Sequence, residues 1–212
     1  MRSVFLVDAG FNRPLDHAKE VLREIIRRRA QLQLYCVFDP GPADREFFRL
    51  FRRASGLMVT MFAESLSDAV LSELRKSFGM AEIMRDAQTM REEGVACLFT
   101  PTFGSPGETR ETVAEMLKRT PSLKATMEDF SVGWRIQPRA PLPERAVADG
   151  VIRADDDCWE PRFYISPHTP REWLEKENGA NKRRHPFGWA RMIPFIVRAS
   201  AMRPWKWGPE EV

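Results

Sequence analysis

Polar and glycine residues that could bind a ligand recur at the ends of apolar runs in this chain. The fullest group is Phe103-Gly104-Ser105-Pro106-Gly107-Glu108-Thr109, after Val95-Ala96-Cys97-Leu98-Phe99 and before an amphipathic stretch to Arg119. Glycines there permit a tight turn and let a ligand come close to the backbone. N–H groups at the start of the following helix could bind polar ligand atoms, and Glu108 in its first turn would suit the helix dipole. The other groups are Asp8, Gly10 and Asn12; Asp39; Glu64 and Ser65; Thr102; and Arg135 with Gln137. A carboxylate such as Glu64 at a strand end could accept hydrogen bonds from a ligand hydroxyl or ammonium, or pair with a neighbouring cation. Each group also has a plain reading as turn or cap residues.

The elements that must position these residues alternate. Strands are predicted at Ser3–Val7, Leu32–Phe38, Leu57–Ala63, Val95–Thr102 and, as a fifth, Ala125–Trp134. Helices are predicted from Pro14 to Arg29, Ala43 to Ala54, Ser67 to Phe78, Met80 to Glu93 and Glu108 to Arg119, with a turn at Pro121–Lys124. Continuous apolar runs separated by amphipathic stretches and short turns indicate an α/β fold with a parallel sheet. In such sheets ligands bind beyond the carboxyl ends of the strands, where the polar groups fall. After Arg135 prolines become frequent, and Trp173, Trp189, Trp205 and Trp207 follow. This part reads as an irregular proline- and tryptophan-rich extension, with one short helix at Pro143–Asp149.

The 212 residues suffice for a sizeable core. With 33 Lys+Arg against 30 Asp+Glu the charge is too balanced to argue for a nucleic-acid partner. No apolar run reaches the roughly 20 residues of a membrane span. Cys36, Cys97 and Cys158 lie far apart, which suits a reducing compartment such as the cytoplasm and no disulfide framework. Neither they nor His17, His168 and His185 stand at a metal-binding spacing, so no metal ligands are expected.

Four stretches in order carry a resemblance. They are Val7-Asp8-Ala9-Gly10-Phe11-Asn12; Phe62-Ala63-Glu64-Ser65-Leu66-Ser67-Asp68 with Lys76-Ser77-Phe78; Gly94-Val95 through Phe103-Gly104-Ser105-Pro106-Gly107-Glu108-Thr109; and Arg135-Ile136-Gln137-Pro138 with Pro161-Arg162-Phe163-Tyr164-Ile165-Ser166. Over about residues 4 to 170 the chain resembles the radical S-adenosylmethionine enzymes, in particular the class associated with cobalamin. The resemblance implies a partial TIM-like (β/α) barrel over residues 1–137, with residues 138–212 as an extension packed on it. It implies S-adenosylmethionine over the strand tops, held by Asp8, Gly10, Asn12, Glu64, Ser65, Thr102, Gly104, Gly107, Glu108 and Arg135. It also implies a [4Fe-4S] cluster, and cobalamin where such a domain precedes the barrel. The chain departs from the family pattern at Ala9 and Ala63. It also has no Cys-x3-Cys-x2-Cys, so it supplies no cluster ligands. The resemblance therefore points to a C-terminal portion of a longer enzyme, a chain that pairs with a separate cluster- or cobalamin-bearing polypeptide, or a cluster-free binding or scaffolding module. The substrate would be a small molecule whose identity the sequence does not give.

Overall fold

The computed structural model describes residues 2–184 together with Ala190 and Ile193. The strands β1 (Arg2–Leu6), β2 (Leu32–Phe38), β3 (Gly56–Glu64), β4 (Ala96–Phe103) and β5 (Met127–Glu128) pair side by side in sequence order, all parallel. The intervening helices are α1 (Leu15–Arg27), α2 (Arg45–Arg53), α3 (Asp68–Glu73), α4 (Met80–Glu92) and α5 (Arg110–Leu123). Right-handed crossovers between sequential parallel strands put every helix on one face of the sheet. The burial pattern agrees. Val59, Met61 and Ala63 of β3 and Cys97, Phe99 and Phe103 of β4 enter the main core, whereas Thr60, Phe62, Leu98, Thr100 and Thr102 face the other way and are more exposed. The result is an open, curved wall with a helix-covered outside and a barer inside.

The core is built where the apolar periodicity is strongest. Phe47, Phe48, Leu50 and Phe51 of α2 are buried, and the phenylalanine rings of Phe11, Phe38, Phe47, Phe48 and Phe51 lie 5.4–6.2 Å apart in tilted, stacked and edge contacts. Such pairs add roughly 0.5–1.5 kcal/mol each beyond the area they bury. Asp44 caps this helix by accepting from the Phe47 N–H at 2.9 Å, and the Lys19 ammonium pairs with Asp44 and Glu46.

Three elements differ from expectation, each for a physical reason. The helix expected from Ser67 to Phe78 stops at Glu73, because Arg75 takes a left-handed conformation (φ 54°) and the Lys76 N–H folds back onto the Leu71 carbonyl. α5 runs through Pro121 to Leu123 instead of turning there. The fully buried Leu123 and the Thr120 hydroxyl bond to the Met116 carbonyl hold its last turn, which Lys124 ends in the left-handed region. The fifth strand is broken into β5, β6 (Ser131–Val132) and β7 (Trp134–Arg135). β5 and β6 both pair with β4 in one register, and the gap falls opposite Pro101, which has no N–H to give to the ladder.

The extension is less irregular than its prolines suggested. It contains α6 (Leu142–Ala148), the strand β8 (Phe163–Tyr164) antiparallel to β7, and a 14-residue helix α7 (Arg171–Arg184). Leu174 of α7 is buried in the main core, Trp173 packs against that core with the Arg110 guanidinium 5.2 Å from its ring centre, and the Asn178 amide donates to the Phe130 carbonyl. A second, small core joins Ile136, Ala146, Cys158 and Tyr164. Trp189, Trp205, Trp207 and His185 lie outside the described residues.

Candidate functional site

Because the sheet is parallel, the ends of β1, β2, β3 and β4 share one edge, and the predicted polar groups fall there. Beyond β1, β2 and β3 lies a cleft of about 400 Å³ lined by Val7, Asp8, Ala9, Val37, Asp39, Phe62, Glu64 and Lys76. Asp8 is exposed on its wall. Gly10 is buried beneath; a Cβ there would stand 3.0 Å from the Asp39 Cβ. Asn12 is fully buried and its side chain is committed. Its amide donates to the Asp39 carbonyl at 2.7 Å and its oxygen accepts from the Asp39 N–H at 2.9 Å. Asn12 therefore imitates a strand pairing that ties the loop after β1 to the end of β2. The Arg13 guanidinium pairs with the Asp39 carboxylate and also donates to the Ser77 hydroxyl at 3.0 Å.

Glu64 is aimed by its backbone. The β3–β4 register shifts between Met61 and Glu64, a bulge that turns the strand end, and Glu64 itself has φ 67°. A left-handed glutamate costs on the order of 1–2 kcal/mol, which the surrounding strands must sustain. Its carboxylate accepts from the Lys76 ammonium at 2.9 Å. Burial raises the Glu64 pKa above the ordinary carboxylate value, the Lys76 charge opposes that rise, and the Asp39 charge adds to it. Lys76 also lies 5.7 Å from the centre of the Phe78 ring. Of the two readings of Glu64 offered by sequence, the ion pair is present, and it sits on the cleft wall. The early stop of α3 is what brings Lys76 back to Glu64. Sequence reasoning did not name Lys76 as a site residue, although the Lys76-Ser77-Phe78 stretch marked it. Ser65 is buried beside Glu64, and its hydroxyl accepts from the Ser67 N–H at 3.2 Å.

The Gly104–Glu108 turn faces inward. Both glycines have positive φ (84° and 75°), as a tight turn needs. The space their missing side chains leave is taken by Ile165, 3.1 Å from a Cβ at Gly104, and by Glu73, 2.6 Å from one at Gly107. Several N–H groups of this turn are already used. The Gly104 N–H donates to Glu108 Oε2, the Glu108 N–H to the Ser105 carbonyl, and the Thr109 N–H to Thr112 Oγ1. Glu108 does not sit in the helix. Thr109 is the cap of α5, and Glu108 precedes it, fully buried, with Oε1 unpartnered. Burial, opposed by hydrogen bonds from the turn's backbone, pushes its carboxyl up to about 7. The extension closes over this turn, with the Ser166 N–H donating to the Gly104 carbonyl and its hydroxyl to the Glu108 carbonyl. Thr102 lies on the barer inside of the wall, sharing a hydrogen bond with Ser131 at 2.9 Å.

Arg135 is placed apart from Asp8 and Glu64. It lies on β7, paired with Phe163, and lines another cleft with Pro106 and Trp134. The cysteines offer nothing to a cluster. Cys36, Cys97 and Cys158 are each buried and free, burial pushes the Cys97 thiol up to about 12 and the Cys36 thiol higher, and no group of ligating residues fit for a metal occurs among the described residues. Among those residues no helix is long and apolar enough to cross a membrane.

A sequential parallel sheet with helices on its outside and polar residues at its carboxyl edge defines an open (β/α) barrel, an architecture whose ligand sites lie over the strand tops. No family model matches the chain. A tryptophan 2-C-methyltransferase of Streptomyces laurentii is 31% identical over 160 residues, which are 68% of this chain and 27% of that protein. The radical S-adenosylmethionine methyltransferase TsrM from Kitasatospora setae, solved with cobalamin and a [4Fe-4S] cluster bound, superposes with a TM-score of 0.68 at 26% identity, covering 91% of this chain and 44% of that one. The same enzyme solved with tryptophan substrate and a S-adenosylmethionine analogue gives a TM-score of 0.68. Coproporphyrinogen III oxidase (HemN) of Escherichia coli, a radical S-adenosylmethionine enzyme, shares the fold with a TM-score of 0.56 at 18% identity over 79% of this chain. The chain belongs to the radical S-adenosylmethionine superfamily, in its cobalamin-associated class, and spans 27% of the curated relative and 44% of the solved one.

Proposed function

We propose that this chain is the part of a radical S-adenosylmethionine methyltransferase-like enzyme that holds S-adenosylmethionine over the strand ends. The observation that carries this reading is the cleft shared by Asp8, Asp39, Glu64 and Lys76 at the carboxyl edge of the sheet. Its donor set fits the cofactor. The ligand offers an ammonium, a sulfonium and ribose hydroxyls to carboxylates, and a carboxylate to an ammonium. Asp8 and Glu64 would take the cationic and hydroxyl groups, and Lys76, already 2.9 Å from Glu64, would take the ligand carboxylate. Gly10, Asn12 and Ser65 shape the floor, Thr102 lies on the inner wall, and Gly104, Gly107 and Glu108 set the wall beyond β4. We assign residues 1–137 to the partial barrel and residues 138–212 to the extension, of which residues 138–184 carry the described contacts with the barrel.

In the whole enzyme, reductive cleavage of the bound cofactor to a 5′-deoxyadenosyl radical would serve hydrogen abstraction, or methyl transfer where cobalamin is present. The cysteines of this chain do not fit a cluster, which needs closely spaced thiolates. Residues 1–212 are therefore expected to run no radical chemistry alone. A small-molecule substrate is proposed, tryptophan being the one seen in the similar TsrM. The same misfit of the cysteines favours a second reading, a cluster-free α/β binding or scaffolding module.

Calorimetric titration of the intact chain with S-adenosylmethionine tests the first reading. Saturable binding that weakens at least about ten-fold in Glu64→Ala is expected, the loss of one charge-assisted contact of about 1.5–3 kcal/mol. Heat of binding that is absent, or unchanged by the substitution, would leave the binding-module reading in its place.

A further inference from the structure

We propose that a cleft of about 680 Å³ between the Gly104–Gly107 turn, the end of α3 and the start of α6 is a second ligand site, for a small organic anion with a flat apolar body. Its volume lies within the range of small-molecule sites, roughly 300–1,000 Å³. It shares no lining residue with the cleft around Asp8 and Glu64.

Its wall is apolar, with Leu74, Pro106, Trp134, Pro141 and Leu142. The Trp134 indole N–H donates to the Ser105 hydroxyl at 3.0 Å, which fixes the ring plane. Three guanidiniums and one carboxylate stand around this wall. Arg145 and Glu73 satisfy each other at 3.0 Å. Arg145 is held further by Asp149 at 2.6 Å, itself bonded by the buried Tyr164 hydroxyl. Arg75 and Arg135 are exposed and form no ion pair among the described residues. They are not on loose loops. Arg75 is pinned by its own N–H to the Ser72 carbonyl at the end of α3, and Arg135 by strand pairing with Phe163. Two guanidinium forks carried on fixed backbone match a carboxylate or sulfonate, and an indole flanked by prolines suits an aromatic body. The apolar wall disfavours inorganic phosphate, and the two uncompensated cations disfavour S-adenosylmethionine, whose net charge is positive.

The test uses 2-naphthoate and the neutral 2-naphthylmethanol as probes on the nitrogen-15-labelled chain, read at the Trp134 indole N–H resonance, with Trp134→Phe assigning that resonance. Naphthoate is expected to shift it saturably, and the neutral analogue to bind at least about ten-fold more weakly. The Arg75→Gln/Arg135→Gln double substitution, in exposed side chains, should weaken naphthoate at least about ten-fold with an unchanged circular dichroism spectrum. Saturating S-adenosylmethionine should leave naphthoate binding unchanged. No shift, equal binding of the neutral probe, indifference to the double substitution, or competition by S-adenosylmethionine would each overturn the proposal.

Discussion

Glu108 ties the turn after β4 to pH. Its carboxyl is fully buried, one oxygen accepts from the Gly104 N–H, and the other has no partner. The fold therefore prefers the neutral acid, and burial pushes the carboxyl up to about 7, against 4.5 for the free side chain. An acid whose folded pKa is raised contributes most below its unfolded pKa and loses that contribution as pH rises through the folded value. Each pKa unit is worth about 1.4 kcal/mol, so roughly 3 kcal/mol should disappear between about pH 4.5 and 7.5. Glu108→Gln keeps an oxygen for the Gly104 N–H and cannot ionise. Urea unfolding of both proteins at pH 5, 6, 7 and 8, followed by tryptophan fluorescence, isolates the effect, because other titrating groups are common to both. The wild type should lose about 2–3 kcal/mol relative to Glu108→Gln across that range, most of it below pH 7.5. Two stability curves that stay parallel within about 0.5 kcal/mol would refute the claim that the fold holds Glu108 neutral.

Asn12→Ala removes both side-chain bonds to the Asp39 backbone and leaves a half-buried N–H and carbonyl without them. A loss of about 2–4 kcal/mol is expected, a fall of roughly 5–10 °C in melting temperature by scanning calorimetry. Gly56→Ala and Gly104→Ala should both destabilise, by different routes. At Gly104 the alanine meets a positive φ and Ile165 at 3.1 Å, for about 1–3 kcal/mol. At Gly56 the backbone is permissive, but a Cβ would lie 2.2 Å from the fully buried Phe51 ring and 2.5 Å from its carbonyl. Gly56→Ala should therefore be the more damaging, above about 3 kcal/mol, and a higher melting temperature for it than for Gly104→Ala would contradict that packing.

The sheet was legible because its signal is local. Leu32–Phe38 is apolar on both faces and forms β2 with the expected bounds. The amphipathic stretches from Ala43 and Met80 became α2 and α4 to within two residues at either end. Legibility failed where a distant partner decided the outcome. Between Ala125 and Trp134 only Gly133 announces a break, the one between β6 and β7; the cause of the β5–β6 gap is Pro101 on the neighbouring strand. α7 hides in sequence because its apolar contact with the main core is a thin stripe, Leu174 and part of Trp173 among the described residues, and Gly179 lies within the helix. Its helix exists because the main core accepts that stripe.

The candidate site divides along the same line. Polar residues at strand ends were readable one by one, but which of them face the same space depends on the turns between. Glu64 meets Lys76 because a left-handed Arg75 ends α3 early and returns the chain. Glu108 leaves solvent because Gly104 offers its N–H and Ser166 covers the turn. Arg135 parts from them because Gly133, at φ 85°, turns the chain out of β6 into an antiparallel pair with β8. In each case a turn, or a residue on another element, sets the direction of the side chain. A reading that treats all strand-end residues as one site therefore overcounts. The geometry separates a carboxylate–ammonium cleft at β1 to β3 from a guanidinium-rimmed cleft beside β7, and the buried turn after β4 stands between Glu73 and Ile165 as structure that shapes the second.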